Sequence, residues 1–153
     1  MKKYKNDIFN SILNDIRKSD VVYALTLESD SEKTDRIAFD GKVKQLIYWL
    51  NEYCYGSQFN KNNRELNVIG GFEIGLFKGK PHCHLVISHN NDMKRSLSEL
   101  ECFISKKWYR LFNKNRDFMS GLVDFSYANN IDKTFNYALK KVDNRNFDSL
   151  LWL

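Results

Sequence analysis

Two short apolar segments joined by a glycine-containing turn constrain the fold of this chain more than any other feature. They cover about residues 65–75 and 81–88, and the turn between them contains Lys78-Gly79. Both segments are rich in aliphatic and β-branched residues, which favour strands, and a tight turn between two strands makes an antiparallel hairpin. A two-residue loop at Lys78-Gly79, or a four-residue loop over 77–80, would place Leu76 opposite Pro81.

The hairpin carries two of the three histidines of the chain and a carboxylate. Side chains of a strand alternate between faces, so His82 and His84 share one face and Cys83 points to the other. An even loop also puts Glu73 on the histidine face, opposite His84. Two imidazoles and a carboxylate on one patch of sheet form a candidate divalent-metal site, and a solvated strand face without metal is the alternative.

The rest of the chain surrounds this hairpin with helices and two further strands. Apolar spacing and turn signals predict strands over about 21–27 and 121–127 and helices over about 5–18, 40–56, 93–112 and 132–141. Without its first and last helices this order is βαββαβ, an α+β, ferredoxin-like or RRM-like antiparallel sheet with helices on one side. The first and third strands are central in that topology, which places both histidines mid-sheet. The apolar tail is expected to dock on the body.

Length, charge and cysteine content limit the classes of function. We expect residues 1–153 to form a single domain, with no disulfide framework because the three cysteines are widely spaced. The net charge of +5 and the pI of about 9.0 favour a polyanionic partner. No signal peptide or transmembrane segment is evident, so a cytoplasmic location, or a nuclear one in a eukaryotic host, is expected without membrane partners.

A tyrosine and a lysine on the last predicted helix complete a possible reaction centre. Tyr137 and Lys140 are three residues apart and therefore share a helix face, with Lys141 next to them. A phenol is a weak nucleophile at neutral pH because it is protonated. It can attack a phosphate if a metal polarises that phosphate and a cation stabilises the developing charge. An aromatic core residue beside a solvated lysine is the alternative interpretation.

These motifs resemble those of a known superfamily, in the same order along the chain. The segment 81–87 resembles the His-hydrophobe-His motif of the HUH endonucleases, with cysteine in the middle, and residues 137–140 match the Y-x-x-K motif of their rolling-circle replication initiators. Residues 23–27, which contain a Leu-Thr pair, are similar to the first motif of that family, and Glu73 is placed like the third metal ligand of small viral members. The resemblance covers about residues 21–141.

The resemblance implies a nicking and joining enzyme for single-stranded DNA. By motif, Tyr137 would be the nucleophile that forms a covalent 5′-phosphotyrosine, and Lys140 would assist it. His82, His84 and Glu73 would hold Mn²⁺ or Mg²⁺. The substrate would be an origin, with a stem-loop as one option, and the reaction would initiate rolling-circle replication of a virus, phage or plasmid.

Further expectations concern partners and DNA contacts. With one motif tyrosine, strand transfer would need a second subunit, another round of activity or a different nucleophile, so a homodimer is one option. No helicase domain follows within the 153 residues, so host replication proteins and a helicase are expected partners. A cluster of basic side chains is expected to contact phosphates, with a solvated face as the alternative: Lys106, Lys107, Arg110, Lys114, Arg116 and, on the last helix, Lys141.

Three other classes of function remain open. A single-domain HUH transposase would use the same chemistry. A non-catalytic nucleic-acid-binding module would use the RRM-like sheet without cutting, although its usual aromatic pair is replaced here by His82 and His84. A metal hydrolase would use the histidines differently. The third histidine, His89, is expected in a loop and not as a ligand.

Overall fold

The computed structural model describes residues 2–75, 79–89, 92–112, 122–142 and 149–153, and the side chains from residue 6 onward within these ranges. The described chain alternates four helices with five strands, and it includes a short 3₁₀ turn at Phe59–Asn62. In chain order, the elements are α1 (Lys2–Arg17), β1 (Val21–Glu28), α2 (Arg36–Tyr55), β2 (Asn67–Ile74), β3 (Pro81–His89), α3 (Leu97–Leu111), β4 (Val123–Tyr127), α4 (Ile131–Ala138) and β5 (Leu150–Trp152).

The five strands form one antiparallel sheet in the order β4-β1-β3-β2-β5. The first four strands have the order of the ferredoxin-like fold, which confirms the α+β prediction and the central position of β3. The fifth strand was not predicted as a strand. It comes from the apolar tail, which docks on the edge of β2 with Leu151 opposite Gly70, so the expected docking of the tail is confirmed.

Helices α2 and α3 cover one face of the sheet and bury the larger core. The odd-numbered residues of β1 and β3, among them Leu27, Cys83 and Leu85, pack there against the two helices. Trp108 of α3 is fully buried, and its indole N–H donates a 2.9 Å hydrogen bond to the carbonyl of Glu28. Cys83 therefore points away from the histidine face, as predicted, and burial raises the pKa of its thiol above the ordinary value.

Two predicted helix starts are wrong because local caps lie elsewhere. Helix α2 begins at Arg36 and not at Asp40, because the Asp35 side chain accepts a hydrogen bond from Ala38 N and caps the helix. The helix then continues through Gly41, since a glycine inside a helix costs only about 1 kcal/mol relative to alanine. Helix α3 begins at Leu97 and not at residue 93, after a capping box at Ser96.

Helices α1 and α4 cover the other face of the sheet, which is the face of the histidines. Leu13 and Ile16 of α1 and Phe135 of α4 pack there against Ile69 and Val86 of the sheet. The two helices are also joined by an ion pair between Arg17 and Asp132 at 2.8 Å. The sheet thus lies between two helical layers, and the last turn of α4 reaches the part of the face that carries the histidines.

The hairpin keeps the predicted parity but has a different register. Strand β2 ends at Ile74 and β3 begins at Pro81, and Gly75 N donates a 2.9 Å hydrogen bond to the carbonyl oxygen of Lys80. Glu73 lies opposite His82 in this register. The shorter loops had predicted that it lies opposite His84. The expected pairing of Leu76 with Pro81 is replaced by that of Ile74 with Pro81. A shift of two residues leaves every side chain on its face.

Some predicted segments lie partly outside the described residues. These are the loop positions 76–78, residue 121 at the beginning of the strand predicted over 121–127, and residues 143–148 of the tail. Among the described helices, none combines the length and the hydropathy that crossing a bilayer requires.

Candidate functional site

The predicted metal ligands converge on one carboxylate oxygen. Oε1 of Glu73 lies 2.6 Å from Nε2 of His82 and 3.1 Å from Nε2 of His84. One ligand atom from each residue falls within 4.8 Å of the others, and the side chains are only 11% to 15% exposed. The chemistry of this donor set, two imidazoles and one carboxylate, suits Mn²⁺, Fe²⁺ or Zn²⁺ as well as Mg²⁺. The three residues therefore form a cluster that can hold a divalent cation.

Each histidine ring is held by a contact at its Nδ1 atom, on the side of the ring away from Glu73. The hydroxyl of Thr26, directly opposite His84 on β1, lies 2.9 Å from Nδ1 of His84. Nδ1 of His82 lies 3.3 Å from the carbonyl oxygen of Lys80. Without a metal, the Nε2–H groups donate to Glu73. A bound metal would need the other tautomer, in which each Nδ1–H donates to one of these two oxygens and the Nε2 lone pair is free for the metal.

The electrostatics of the cluster favour the binding-competent charge states. Burial raises the pKa of Glu73, but hydrogen bonds from Lys140, His82 and His84 outweigh it and lower the pKa to about 2. Burial lowers the pKa of His84, and the hydrogen bond with Glu73 only partly opposes this. At neutral pH the carboxylate is thus ionised and the His84 imidazole is neutral, as metal coordination requires.

A glycine lets the tyrosine helix approach the cluster. Gly71 lies opposite His84 in the sheet, and a Cβ at Gly71 would come within 2.4 Å of the carbonyl oxygen of Ala138. Since only a glycine fits so close to the helix backbone, the last turn of α4 rests directly on the sheet. This contact places Tyr137 against His84, with 4.6 Å between the ring centroids.

Lys140 connects the tyrosine to the carboxylate. Its Nζ lies 3.9 Å from the centre of the Tyr137 ring and 3.0 Å from Oε1 of Glu73. Burial lowers the pKa of Lys140, but hydrogen bonds with Tyr137 and Glu73 outweigh burial, so the pKa is raised above its ordinary value. The side chain therefore stays an ammonium ion. Lys140 follows the helix and does not belong to it, because α4 ends at Ala138 and Leu139 is the C-cap. The two side chains meet all the same, while the phenol stays accessible because Tyr137 is 53% exposed.

The other predicted site residues are distributed differently. Lys141 lines an open pocket of about 250 Å³ together with Glu73, at the edge of the site. Lys106, Lys107 and Arg110 belong to α3, which covers the opposite face of the sheet, so they do not converge with the cluster. Lys107 lies over the rings of Trp49 and Phe103 on that side. Lys114 and Arg116 lie outside the described residues.

His89 is not a loop residue, which corrects that expectation. It is the last residue of β3 and only 3% exposed, and its Nε2 lies 3.3 Å from the hydroxyl of Tyr23 on the α2–α3 side of the sheet. The strand continues because Val21 pairs with His89. Its position on the far face agrees with the expectation that it is not a ligand of the cluster.

Two residues next to the cluster, Thr26 and Glu28, were not predicted from the sequence to take part in the site. The contact between Thr26 and His84 depends on the register of β1 with β3, although Thr26 belongs to the Leu-Thr pair already singled out. Glu28 lies opposite His82 and forms a 3.7 Å ion pair with Lys80 at the rim of the cluster. Parity along β1, which puts residues 26 and 28 on one face, is the signal that could have found both.

Comparison of the chain with protein-family models, with curated proteins and with solved structures finds no match. What can be said of its chemistry rests on the cluster and on the residues that touch it.

Proposed function

We propose that this protein is a metal-dependent endonuclease that cuts and rejoins single-stranded DNA through a covalent bond to Tyr137. The observation that carries the proposal is the meeting of three groups at one point. A candidate nucleophile, Tyr137, contacts His84 of the metal-capable cluster, and the Lys140 ammonium lies between the phenol ring and Glu73.

Each group has a distinct task in the proposed reaction. Glu73, His82 and His84 would hold Mn²⁺ or Mg²⁺, which when bound would polarise the scissile phosphate. The hydroxyl oxygen of Tyr137 attacks phosphorus, the bond from phosphorus to the 3′ oxygen breaks, and the 3′ oxygen leaves as a hydroxyl. The products are a 5′-phosphotyrosine and a free 3′ end, and attack by a 3′ hydroxyl reverses the step. The number of phosphodiester bonds is conserved, so the strand can be resealed.

Lys140 acts by charge and not as a base. Because its pKa is raised, the ammonium cannot accept the proton of the phenol at neutral pH, but it can donate hydrogen bonds to the phenolate that forms. The exposed side of Tyr137 lets the phenol proton pass to solvent. Replacement of Lys140 should therefore slow cleavage without changing which bond is cut.

The tyrosine distinguishes this proposal from its rivals. A metal hydrolase would activate water and has no need of an exposed phenol against a ligand histidine. A binding module on an RRM-like sheet would place aromatic rings on its central strands, whereas the part of this face beside α4 carries His82, His84 and Glu73. The same arrangement serves rolling-circle initiation, as the motif resemblance suggests, and we extend the proposal to that role.

The test is incubation of the protein with single-stranded oligonucleotides and Mn²⁺, resolved on a denaturing gel. We expect a covalent protein–DNA band that Tyr137→Phe abolishes. Tyr127→Phe is the matched control, because Tyr127 is an equally exposed tyrosine, 51% against 53%, on the edge strand β4. Cleavage by Tyr137→Phe at the wild-type rate, or a product with a free 5′ phosphate and no adduct, would refute the mechanism.

A further inference from the structure

A lysine at the rim of the metal cluster, Lys80, immediately precedes strand β3. Its carbonyl oxygen accepts a hydrogen bond from Gly75 N, so the pairing of the hairpin continues to this residue. Side chains alternate along a strand, which puts Lys80, His82 and His84 on one face, about 7 Å apart from one to the next. The three side chains therefore form a row, with Lys80 at one end and His84 at the other.

The ammonium of Lys80 is held beside the cluster by charge. The side chain is 26% exposed, and its Nζ lies 3.7 Å from Oε1 of Glu28, which is opposite His82 in the sheet. That separation is too long for a hydrogen bond, and the Lys80 side chain donates none to another residue that the structure describes. This half-buried ammonium therefore has three N–H donors available for an anionic ligand.

A backbone phosphate fits this position. A strand whose scissile phosphate lies at the cluster carries its next phosphate one nucleotide away, and an ammonium is a compact charge that binds phosphate well. The carboxylate of Glu28 alone would repel a phosphate at this rim, and Lys80 neutralises it. The pair thus makes this side of the cluster acceptable to a DNA backbone.

The position of Tyr137 decides which neighbouring phosphate this is. Tyr137 contacts His84, the member of the row that is farthest from Lys80. In phosphoryl transfer the attacking and leaving oxygens are roughly in line, on opposite sides of phosphorus. Since Tyr137 attacks from the His84 end, the 3′ oxygen leaves towards His82 and Lys80. The strand that ends in the free 3′ hydroxyl is therefore the one beside Lys80.

From this geometry we infer that Lys80 binds the phosphate immediately 5′ of the scissile one and holds the leaving strand for rejoining. This inference rests on the proposed function, because it assigns a residue to the same DNA strand. In rejoining, the 3′ hydroxyl attacks phosphorus, the bond from phosphorus to the Tyr137 oxygen breaks, and that oxygen takes up a proton. Lys80 is a positioning residue that keeps the 3′ hydroxyl near the adduct for this return step.

The test uses an oligonucleotide that the protein cleaves, with one phosphate at a time replaced by an uncharged methylphosphonate. With wild-type protein, we expect the replacement immediately 5′ of the cut to raise the KM for cleavage roughly tenfold. Lys80→Met should raise the KM of the unmodified strand by a similar factor, and the same replacement should then have no further effect. Rejoining of a separate oligonucleotide with a 3′ hydroxyl should also fall roughly tenfold in Lys80→Met.

Lys44→Met is the matched control for the lost charge. It removes a lysine from an exposed position on α2, which covers the opposite face of the sheet. This variant should keep the wild-type KM and the wild-type sensitivity to the neutral linkage.

A second measurement uses unmodified DNA and no metal. Binding of the oligonucleotide to the Tyr137→Phe protein, which lacks the nucleophile, is followed by fluorescence anisotropy at several salt concentrations. Adding Lys80→Met should reduce the slope of log affinity against log salt by about 0.7, because one phosphate contact is lost, whereas Lys80→Arg should keep the slope. A lower affinity with an unchanged slope in Lys80→Met would assign Lys80 a purely structural role and overturn the inference.

The outcomes separate the two proposals. A Tyr137 adduct whose formation is insensitive to the 5′ replacement, or equally sensitive in Lys80→Met, would overturn the inference and leave the proposed function standing. A sensitive phosphate on the 3′ side that Lys80→Met makes insensitive would also overturn it, because Lys80 would then lie beside the strand that stays on Tyr137. Absence of cleavage and adduct with wild-type protein would refute the proposed function, and the inference with it.

Discussion

Replacing Lys140 by methionine should change metal binding and catalysis in opposite directions. The ammonium of Lys140 lies 3.0 Å from Oε1 of Glu73, the oxygen that also faces both histidines. It occupies the position of a counter-ion for the carboxylate when no metal is bound. A divalent cation on Glu73 must therefore displace it, and Lys140→Met removes this competitor.

The structure bounds the size of the effect. A cation about 2 Å from the oxygen would be at most about 5 Å from the ammonium, where their repulsion is about 2 kcal/mol at the dielectric constant of water and about 7 at a value near 20. The Lys140 side chain is 35% exposed, so it can swing into solvent, and the cost of binding reduces to loss of the ion pair with Glu73. For such a partly exposed pair we take about 1 to 2 kcal/mol, which corresponds to roughly 5- to 30-fold tighter metal binding.

Titration calorimetry with Mn²⁺ at neutral pH measures the affinity, and the oligonucleotide gel measures cleavage. Lys133→Met is the control, because it removes the same charge from the exposed side of α4. Tighter Mn²⁺ binding with slower cleavage in Lys140→Met, and no change in Lys133→Met, is the expected result. Equal or weaker binding in Lys140→Met would refute the competition between ammonium and cation.

Three further predictions test the supports of the site. Thr26→Val should weaken Mn²⁺ binding about tenfold in calorimetry, because the orienting contact with His84 is lost, whereas Thr26→Ser should retain it. Gly71→Ala should lower the free energy of unfolding by about 1 to 3 kcal/mol in urea titrations, because its Cβ clashes with the α4 backbone, while Gly41→Ala, with nothing within 4 Å, should be neutral or stabilising. Glu73→Gln should flatten the acid side of the stability curve, with the difference in melting temperature from wild type shrinking as the pH falls.

The sign of the last prediction follows from the depressed pKa. The carboxylate of Glu73 has a pKa of about 2 when folded and an ordinary value of 4.5, so its contribution is complete above pH 4.5 and is lost as the pH falls towards 2. A constant difference between Glu73→Gln and wild type across this window would contradict the assignment. Likewise, equal Mn²⁺ affinities of Thr26→Val and Thr26→Ser would show that the hydroxyl does not orient His84. A stable Gly71→Ala variant with full cleavage would show that α4 does not need its close approach.

The face of each side chain could be predicted from sequence, because alternation along a strand is a local property. Alternation alone predicted that His82 and His84 share a face, and a loop with an even number of residues added Glu73 to that face; all three converge there. The register could not be predicted, because it depends on where the hairpin closes. The strands pair as far as Ile74 with Pro81, which leaves six residues between them, and this register puts Glu73 opposite His82 instead of His84.

The contacts between the helices and the sheet could not be predicted from the sequence pattern. Helical spacing predicted that Tyr137 and Lys140 meet, and they do although Lys140 lies beyond the end of α4. Only the packing of Gly71 under Ala138 decides that this pair reaches the cluster. The same limit explains the basic side chains of α3, because their periodicity shows that they share a helix but not which face of the sheet that helix covers. The sequence predicted that Asp40-Gly41 opens α2, but the cap at Asp35 starts the helix four residues earlier, at Arg36.

The most direct test of the central claim is mass spectrometry of the protein after reaction with a single-stranded oligonucleotide and Mn²⁺, followed by digestion with protease and nuclease. We predict one modified peptide, with a nucleotide 5′ phosphate joined to Tyr137. Cleaved DNA with an unmodified Tyr137 peptide, or a nucleotide on any other residue, would contradict the account.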